Sequence, residues 1–323
     1  MAAVPEPVRG GVRDLLSVRG LSVGHSADPE GRTGVTAILF DEGAPTVVDV
    51  RGGASGTYDT ASLSLDATFG RRWAIFFAGG SLFGLDAARG IRLRLLEEGR
   101  GVRAFGNRRP IVPISGAVIF DLPRDDRPLP DYATLGYDAA AAAGRRALAQ
   151  GQVGAGAGAS VGKYLGRSAA MAGGLGSSAR PLGNGSVVGV LVVVNSAGAV
   201  RDPGTGRWVA AARGRGGRLV PPSDLPRRRL AGRGTTVAIV ATDLALSRPA
   251  LARVAAIVHA GLARTIVPYL TSTDGDCVFA ATTAAGEPPR REAWPGASAD
   301  QVGRLAADAA VEAVLRAVRP RGA

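Results

Sequence analysis

The sequence is poor in the residues from which the commonest catalytic and metal sites are built. Among 323 residues there is one cysteine, Cys277, which excludes an internal disulfide and a metal site built from several thiolates. Two histidines occur, His25 and His259, and no Gly-x-Ser-x-Gly motif accompanies them. We therefore expect both histidines to be structural, and we expect neither a Ser-His-Asp triad nor a zinc site.

Long apolar segments are missing as well. The most apolar run, Val187–Val194, is far shorter than the roughly 20 residues that a membrane-spanning helix needs. Residues Met1–Leu16 are interrupted by prolines and charged residues, and they lack the apolar centre of a signal peptide. These absences, together with a cysteine content typical of a reducing compartment, predict a soluble cytoplasmic protein with no membrane partner.

Lysine is almost absent, although the formal net charge is +12. Of 39 basic side chains all but Lys163 are arginine, so Lys163 is the one candidate for an ammonium group whose adjustable pKa matters. Nine arginines and two aspartates lie between Arg201 and Gly234, in a segment too rich in glycine and proline for a helix or strand. We expect this segment, 201–234, to be an exposed, flexible basic linker. Because Trp208 is its only aromatic residue, nucleic acid is not favoured as a partner.

Short β-branched runs alternate with alanine- and leucine-rich stretches, which predicts a single α/β domain of strands layered with helices. Ser247 followed by Pro249 predicts the start of the third helix. The predicted strands are Val35–Phe40, Thr46–Val50, Ala74–Phe77, Ile111–Phe120, Val187–Asn195, Thr236–Thr242 and Cys277–Thr282. The predicted helices are Leu82–Glu98, Tyr132–Ala149, Arg248–Val267 and Ala299–Val318.

Glycine is abundant, with 47 residues, and it is clustered. The clusters indicate tight turns, or backbone that closes around a small ligand. They are Gly52–Gly53 with Gly56, Gly79–Gly80 with Gly84, Gly154–Gly162 and Gly173–Gly176. The segment Gly154–Tyr164 ends in Gly162-Lys163, but its glycine spacing and the tyrosine that follows do not match a phosphate-binding loop.

The chemistry that remains is that of a hydroxyl nucleophile without histidine. A free α-amino group can take the proton of the hydroxyl of its own residue, and this requires an N-terminal threonine. Thr235 lies between the basic segment and an apolar strand, so cleavage of the Gly234-Thr235 bond would leave it at the start of a rigid strand. Gly234 permits the unusual backbone angles of a strained bond. An ordinary entry from a loop into a strand is the alternative reading of the same residues.

Two further features support a site at Thr235. Asp274 and Asp276 flank Gly275 just before a strand, so both carboxylates can turn to one side and hold an ammonium. Asn195 ends a long apolar strand, where its amide could stabilise an oxyanion. A surface turn for the aspartates and a strand-ending cap for Asn195 are the alternatives.

These pieces occur together in the DmpA-type family of self-processing peptidases, which includes β-peptidyl aminopeptidases, L-aminopeptidase/D-esterases and nylon-oligomer (6-aminohexanoate-oligomer) hydrolases. The chain resembles this family over nearly its whole length. The resemblance rests on the segments LSVGHSADPEGRTGVTAILF, VDVRGGASGTYDT, FAGGSLFGLDAARGI, VPISGAVIFDL, GQVGAGAGASVGK, VGVLVVVNSAGAV, GTTVAIVATD and DGDCVFAATT.

The resemblance implies an α/β fold of the αββα sandwich type found in N-terminal-nucleophile hydrolases. It implies one catalytic domain, 1–323, made as a precursor and cut into an α chain of residues 1–234 and a β chain of residues 235–323. By position, Thr235 is then the nucleophile and Asp274 and Asp276 are the acidic pair that orients it. Asn195 corresponds to the oxyanion residue, and Lys163 matches a lysine of the nylon-hydrolase-like branch.

Two positions depart from the family pattern. Gly234 stands where many threonine-type relatives have asparagine, and Phe120 stands where the nylon-hydrolase-like members have a tyrosine near the substrate. We expect the loss of that hydroxyl to change rate or specificity more than reaction class. Phe120 together with Gly79 and Gly80 is expected to line the substrate pocket.

The sequence thus predicts an amide hydrolase that acts through an acyl-enzyme on a small amide, peptide or oligoamide. No metal or organic cofactor is implied, and relatives suggest a homo-oligomer of four or more subunits. An acyltransferase like the ornithine acetyltransferases, which resemble this family in fold and nucleophile, is one alternative. A binding protein that never matures is another. Peptides, β-peptides, esters and nylon oligomers all stay open as substrates.

Overall fold

Alternating burial along the central strands divides the molecule into layers. The computed structural model describes residues 13–104, 106–123, 126–183, 185–225, 233–284 and 299–319. In the strand Val187–Asn195, Val190, Val192 and Val194 belong to one apolar core, whereas Leu191 and Val193 belong to another. Because both faces are covered, the strand is apolar at every one of these positions.

The strands, in chain order, are β1 (Leu21–Ala27), β2 (Gly34–Val50), β3 (Thr57–Tyr58), β4 (Arg71–Ala78), β5 (Ile114–Val118), β6 (Ser160–Val161), β7 (Met171–Ala172), β8 (Gly174–Pro181), β9 (Val187–Asn195), β10 (Ala199–Arg201), β11 (Trp208–Ala210), β12 (Ala212–Arg213), β13 (Leu219–Val220), β14 (Thr235–Thr242), β15 (Ile266–Val267) and β16 (Cys277–Thr282). The α-helices are α1 (Ala87–Glu97), α2 (Tyr132–Ala141), α3 (Arg248–Thr265) and α4 (Ala299–Val318).

Strand β2 joins two sheet layers. Its first half pairs with β1 and β4, and its second half pairs with β16, so the sheet runs β3-β5-β4-β2-β16-β14-β9-β8 with β1 beside β2. One core contains side chains from both halves, among them Phe40 and Phe77 on one side and Leu191 and Phe279 on the other. Helices α1 and α2 cover one outer face, and α3 and α4 cover the other. The predicted αββα sandwich is confirmed.

The structure changes several sequence-based boundaries and adds strands that were not predicted. The predicted strands Val35–Phe40 and Thr46–Val50 form one strand, β2, whose register with β4 shifts between Leu39 and Ala44. The predicted helix Tyr132–Ala149 ends at Ala141, because Gly144 leaves the helix and exchanges two backbone hydrogen bonds with Val23 of β1. Strands β1 and β8 were not predicted.

The basic segment contains more regular structure than its composition indicated. The expectation that no strand forms there is wrong for residues 201–225, which include β11, β12 and β13. Ala210, Ala211 and Ala212 are buried, and the hydroxyl of Tyr164 accepts from the amide of Ala212 and donates to the carbonyl of Val220. Small buried alanines therefore anchor the segment despite its many arginines. Residues 226–232 of the expected linker lie outside the described residues.

Glycines of β8 allow helix α4 to lie directly on the sheet. Gly173–Gly176 was predicted as a glycine turn, but Gly174 and Gly176 lie inside the strand. A Cβ at Gly176 would lie 1.9 Å from the carbonyl oxygen of Ala313 in α4. The glycines here provide close helix packing rather than contact with a ligand.

We expect Gly176→Ala to lower the free energy of unfolding by about 1–3 kcal/mol or more, because helix α4 must move away. Urea unfolding measures this change. Gly144→Ala is the matched control, since no atom lies within 4 Å of its Cβ position. Equal stability of the two variants would contradict the close packing.

Candidate active site

Thr235 and Asn195 lie opposite each other at one edge of the sheet. Thr235 is the first residue of β14 and Asn195 is the last residue of β9, and the antiparallel register pairs them directly. Both side chains are buried, with exposed fractions of 4% and 0%. The apolar strands β9 and β14 therefore each place one polar residue at the same edge of the sheet.

Strand β16 brings the acidic pair to the same place. It runs parallel to β14, with Val237 opposite Cys277, so the residues that precede the two strands lie side by side. Gly234 forms an isolated parallel bridge with Asp274, and the amide of Gly275 donates to the carbonyl oxygen of Gly234 at 3.1 Å. The structure thus brings the acidic turn against the Gly234-Thr235 peptide bond.

Asp276 is held by backbone amides. Its Oδ1 accepts from the amide of Thr236 at 2.6 Å, and its Oδ2 accepts from the amide of Leu270 at 3.0 Å. Burial, and then the neighbouring Asp274, raise its pKa to about 7, while these hydrogen bonds act in the opposite direction. The carboxyl group therefore exchanges its proton near neutral pH.

One carboxylate oxygen of Asp274 accepts hydrogen bonds, and the other has no partner among the described residues. Its Oδ2 accepts from the amide and the hydroxyl of Thr271, at 3.1 Å and 2.7 Å. Its Oδ1 is buried and has no hydrogen-bond partner in the described part of the chain. This oxygen lies 2.7 Å from the point where a Cβ of Gly234 would be. An unsatisfied buried carboxylate oxygen is costly, and it lies beside the Gly234-Thr235 bond.

Two glycines make room at this bond. A Cβ at Gly234 would lie 2.1 Å from the amide nitrogen of Ala197 and 2.6 Å from the carbonyl carbon of Ser196. A Cβ at Gly275 would lie 3.0 Å from Oγ1 of Thr235. Because backbone atoms cause the first conflict, asparagine could not replace Gly234 unless the turn after β9 moved. Oγ1 of Thr235 donates to the carbonyl oxygen of Gly234 at 2.6 Å.

Lys163 fixes the orientation of the Asn195 amide. Its Nζ donates to Oδ1 of Asn195 at 2.7 Å and to the carbonyl oxygen of Asn195 at 2.8 Å, and the amide of Ser160 also donates to Oδ1. Two donors on Oδ1 direct Nδ2 the other way, where it donates to the carbonyl oxygen of Phe120 at 3.0 Å. The second hydrogen of Nδ2 can serve another acceptor.

The ammonium of Lys163 titrates near neutral pH. Burial, and then the neighbouring Arg167, lower its pKa to about 7, while Asp274 and Asp121 act in the opposite direction. An arginine at this position would keep its charge at every physiological pH. This difference in pKa is a physical reason for a lysine, and not an arginine, at position 163.

Two cavities adjoin the site, with volumes of about 500 Å³ and 340 Å³. Thr235 opens into the larger cavity, Lys163 lines the smaller one, and Phe120 and Arg233 line both. Phe120 therefore lies in the wall of both cavities, and its expected contact with a substrate stays a prediction.

Gly79 and Gly80 lie behind this wall rather than in it. The next residues, Ser81 and Leu82, line the larger cavity instead. Gly80 has a φ of +79°, and its amide donates to Oδ1 of Asp121 at 2.6 Å. The two glycines therefore shape the turn after β4 and support the pocket indirectly.

Sequence reasoning missed two residues of the site. Arg167 donates to the carbonyl oxygen of Leu122, and its guanidinium lies 5.5 Å from the centre of the Phe120 ring. Nothing distinguishes this arginine from the others in the sequence. Thr271 binds Asp274, and here a signal existed, because a hydroxyl three residues before an aspartate often bonds to it in a turn.

Both histidines have contacts that suit a structural role. Nδ1 of His259 lies 2.9 Å from the hydroxyl of Tyr269, and its Nε2 lies 3.2 Å from the carbonyl oxygen of Asp49. Nδ1 of His25 lies 3.0 Å from Oγ1 of Thr36, and burial lowers the pKa of His25 to about 4. None of these contacts involves Thr235.

The described ranges of the chain contain neither a cluster of metal-ligating side chains nor a membrane-spanning helix. Across these ranges, no three His, Cys, Asp or Glu side chains are grouped closely enough to hold a metal ion. No helix in the described part of the chain is long and apolar enough to cross a membrane.

The chain resembles known hydrolases in sequence and in fold. The model of peptidase family S58 matches residues 14–320. An uncharacterized aminopeptidase of Mycobacterium tuberculosis is 39% identical over 332 residues, covering 95% of this chain and 94% of the relative. A 6-aminohexanoate-oligomer endohydrolase of Paenarthrobacter ureafaciens is 34% identical over 333 residues, covering 96% and 88%.

Solved structures agree on the fold. The L-aminopeptidase D-Ala-esterase/amidase of Ochrobactrum anthropi, a variant of the Ntn-hydrolase fold, matches with a TM-score of 0.67 at 19% identity, covering 96% of this chain and 88% of that one. A β-aminopeptidase of a Burkholderia species matches with a TM-score of 0.64 at 21% identity, covering 98% and 88%. The predicted relation to N-terminal-nucleophile hydrolases is confirmed at the level of the fold.

The raised pKa of Asp276 predicts a pH dependence of stability. A carboxyl whose pKa rises from 3.8 to about 7 on folding stabilises the folded chain below pH 3.8, and this contribution is lost as the pH increases toward 7. In a Thr235→Val background, which removes the expected nucleophile, Asp276→Asn should flatten the fall in unfolding free energy between pH 4 and pH 7. Urea unfolding at several pH values tests this, and parallel curves would contradict it.

Proposed function

The chain belongs to peptidase family S58, and we propose that it is an amide hydrolase whose nucleophile, Thr235, becomes a new N-terminus by self-cleavage after Gly234. The observation that carries this proposal is the buried Oδ1 of Asp274, which has no partner among the described residues and lies beside the bond to be cut. Cleavage would create an ammonium group at Thr235. That group supplies the partner that the carboxylate lacks.

Self-cleavage begins with attack of Oγ1 of Thr235 on the carbonyl carbon of Gly234. The proton of the hydroxyl passes to the nitrogen of Thr235, the C–N bond breaks, and an ester joins Gly234 to Oγ1. The amide of Gly275, already 3.1 Å from the carbonyl oxygen, stabilises the oxyanion that forms on it. Water then hydrolyses the ester, which leaves a carboxylate on Gly234 and an amine on Thr235.

Substrate turnover uses the same hydroxyl with a different base. The neutral amine of Thr235 accepts the proton of Oγ1, since a free α-amino group has a pKa of about 7.7–8.0. Oγ1 attacks the amide carbonyl of the substrate, and Nδ2 of Asn195 donates its second hydrogen to the oxyanion. The amine product leaves with the transferred proton, and water releases the acid. Lys163 acts as a positioning residue because it holds the amide of Asn195.

The substrates of the relatives indicate a peptide or an oligoamide. The relatives named above include an aminopeptidase and an endohydrolase of 6-aminohexanoate oligomers. Cavities of about 500 Å³ and 340 Å³ on the two sides of Phe120 have room for a short chain of this kind.

Substitution of Thr235 tests the nucleophile. Thr235→Ser keeps a hydroxyl and should still yield two fragments, whereas Thr235→Val keeps the shape of the side chain and should stay a single chain. Denaturing gels detect the cut, and mass spectrometry locates it. A cut Thr235→Val chain, or a wild-type fragment that begins at any residue other than Thr235, would refute the assignment.

There is no space for a Cβ atom at Gly234, because it would conflict with the amide of Ala197. We therefore expect Gly234→Ala to block or strongly slow cleavage. Arg233→Ala is the matched control and should be cut normally. A time course on denaturing gels measures both. Thermal unfolding of Gly234→Ala against Thr235→Val shows whether the uncut chain is folded, and rapid cleavage of Gly234→Ala would contradict the geometry.

Asp274→Asn should separate cleavage from turnover. The asparagine retains an acceptor for Thr271 but cannot pair with the ammonium of Thr235. We expect cut chains whose kcat/KM for an amide substrate is lower by about tenfold to a hundredfold, the effect of one charged hydrogen bond. Full activity of the cut Asp274→Asn protein would show that this carboxylate has no part in turnover.

A further inference from the structure

The segment 269–271, just after β15, carries hydrogen-bond donors for both members of the acidic pair. The amide of Leu270 donates to Oδ2 of Asp276 at 3.0 Å. The amide and the hydroxyl of Thr271 donate to Oδ2 of Asp274 at 3.1 Å and 2.7 Å. Two consecutive residues therefore direct both carboxylates, and the position of their backbone decides where the carboxylates point.

The backbone of this segment has an unfavourable conformation. Leu270 has a φ of +59°, in the left-handed region that residues with a Cβ avoid. A residue other than glycine keeps such a conformation only where its surroundings hold it there. If the segment relaxed, the peptide unit before Leu270 would rotate, and its N–H would turn away from Asp276. Contacts of the neighbouring residues therefore have to fix the segment.

The hydroxyl of Tyr269 makes such a contact. It lies 2.9 Å from Nδ1 of His259 in α3, and Nε2 of the same ring lies 3.2 Å from the carbonyl oxygen of Asp49 in β2. Because a carbonyl oxygen only accepts, Nε2 carries the proton and Nδ1 accepts from Tyr269. Burial lowers the pKa of His259 and raises the pKa of Tyr269, so both groups stay neutral near pH 7.

The other end of this hydrogen-bonded chain is equally fixed. His259 is buried, with an exposed fraction of 2%, and lies within the long helix α3. Asp49 lies opposite Val278 in the pairing of β2 with β16, and Asp276 directly precedes β16. The chain therefore starts beside β16 and returns, through the segment 269–271, to the carboxylates in front of that strand.

We propose that Tyr269 and His259 are positioning residues of the active site. Their hydrogen bond holds the segment 269–271, which in turn directs both carboxylates of the acidic pair toward the N-terminal group of Thr235. They touch neither the substrate nor the reacting atoms. The effect on turnover rests on the proposed function, whereas the effect on the acidic pair can be measured in an uncut chain.

The pKa of Asp276 tests the proposal without turnover. In the uncut Thr235→Val chain, Tyr269→Phe removes the hydroxyl and keeps the ring. The hydrogen bond from Leu270 lowers the pKa of Asp276, so a weaker bond should raise this pKa by about 0.5–1 relative to Thr235→Val alone. Titration of the carboxyl ¹³C signals by NMR measures the change, and Asp276→Asn identifies the signal.

The other ionisable groups around Asp276 are the same in the chains compared. Asp274 is the neighbouring charge that raises its pKa, and Lys163 acts on Asp274. Cys277 stays neutral because burial raises the pKa of its thiol, and Asp49 acts on that thiol in the same direction. A change in the pKa of Asp276 therefore reports on its hydrogen bonds.

Turnover is measured on cut proteins with whichever p-nitroanilide the wild type hydrolyses fastest, that of glycine, β-alanine or 6-aminohexanoic acid. Tyr269→Phe should still be cut, because Oγ1 of Thr235 and the amide of Gly275 keep their contacts. Its kcat should fall about tenfold and its KM change less than about twofold, since the acidic pair orients the nucleophile. Tyr137→Phe removes a hydroxyl hydrogen bond to Glu97 in the opposite outer layer and should match the wild type.

Variants of His259 separate positioning from packing. His259→Gln offers an amide oxygen to Tyr269 and an amide N–H to Asp49, so it should retain most of the wild-type kcat. His259→Leu offers neither and should lower kcat as much as Tyr269→Phe does. The double variant of His259→Leu with Tyr269→Phe should lose no more than either single variant, because both break the same chain.

Thermal unfolding shows which variants are folded, and the outcomes are judged on those. An unchanged pKa of Asp276 in Thr235→Val with Tyr269→Phe overturns the inference, and so does a wild-type kcat in cut Tyr269→Phe protein. Additive losses in the double variant overturn it as well, since independent packing defects would add. Failure of the proposed function looks different: the wild-type chain then stays uncut at Thr235, and the titration of Asp276 still decides the role of Tyr269.

Discussion

The pairing of β14 with two different neighbours is the constraint on which the site depends. The antiparallel register with β9 places Asn195 opposite Thr235, and the parallel register with β16 places Asp274–Asp276 beside the preceding peptide bond. A slip of one residue would turn every side chain of β14 to the opposite face. Alternate residues of this strand pack in two separate cores, so such a slip would expose none of them to water but would disrupt both cores. Packing far from the site thus fixes its geometry.

Hydrogen bonds compensate the burial of Asp276 and Lys163, but Oδ1 of Asp274 accepts none from the described residues. Asp276 accepts from two backbone amides, and Lys163 donates to two oxygens of Asn195, so burial of these groups is compensated. The pKa values of both groups lie near 7, which allows each to change charge with little cost at neutral pH. Oδ1 of Asp274 is a buried carboxylate oxygen without a hydrogen-bond partner among the described residues. An ammonium group placed beside it would therefore be stabilised.

The sequence singled out residues that the structure brings together, whereas it missed several boundaries of the fold. Polar residues at the ends of apolar strands are conspicuous in a sequence, and this pattern singled out Thr235, Asp274, Asp276 and Asn195. Lys163 was singled out because it is the only lysine of the sequence. The strand β8 was missed since its glycines serve packing against α4, a contact that depends on residues far away in the chain. Arg167 was missed for a related reason: its contacts are with a ring and carbonyl oxygens that it meets only in three dimensions, and arginine is one of the common residue types of this chain.

In the proposed mechanism, the closed space at the Cβ position of Gly234 restricts both the uncut chain and any acyl group that binds later. Gly234 would be the first acyl group that the site receives, and it fits because it has no side chain. Its neighbour Arg233 is a cation in a cavity that Lys163 and Arg167 also line, so like charges repel each other there. Arg233 is covalently attached to the chain, and the high effective concentration of an attached group outweighs a modest repulsion. A free substrate has no such advantage. It must bind through its own contacts at every turnover, whereas the chain only has to be held in place once.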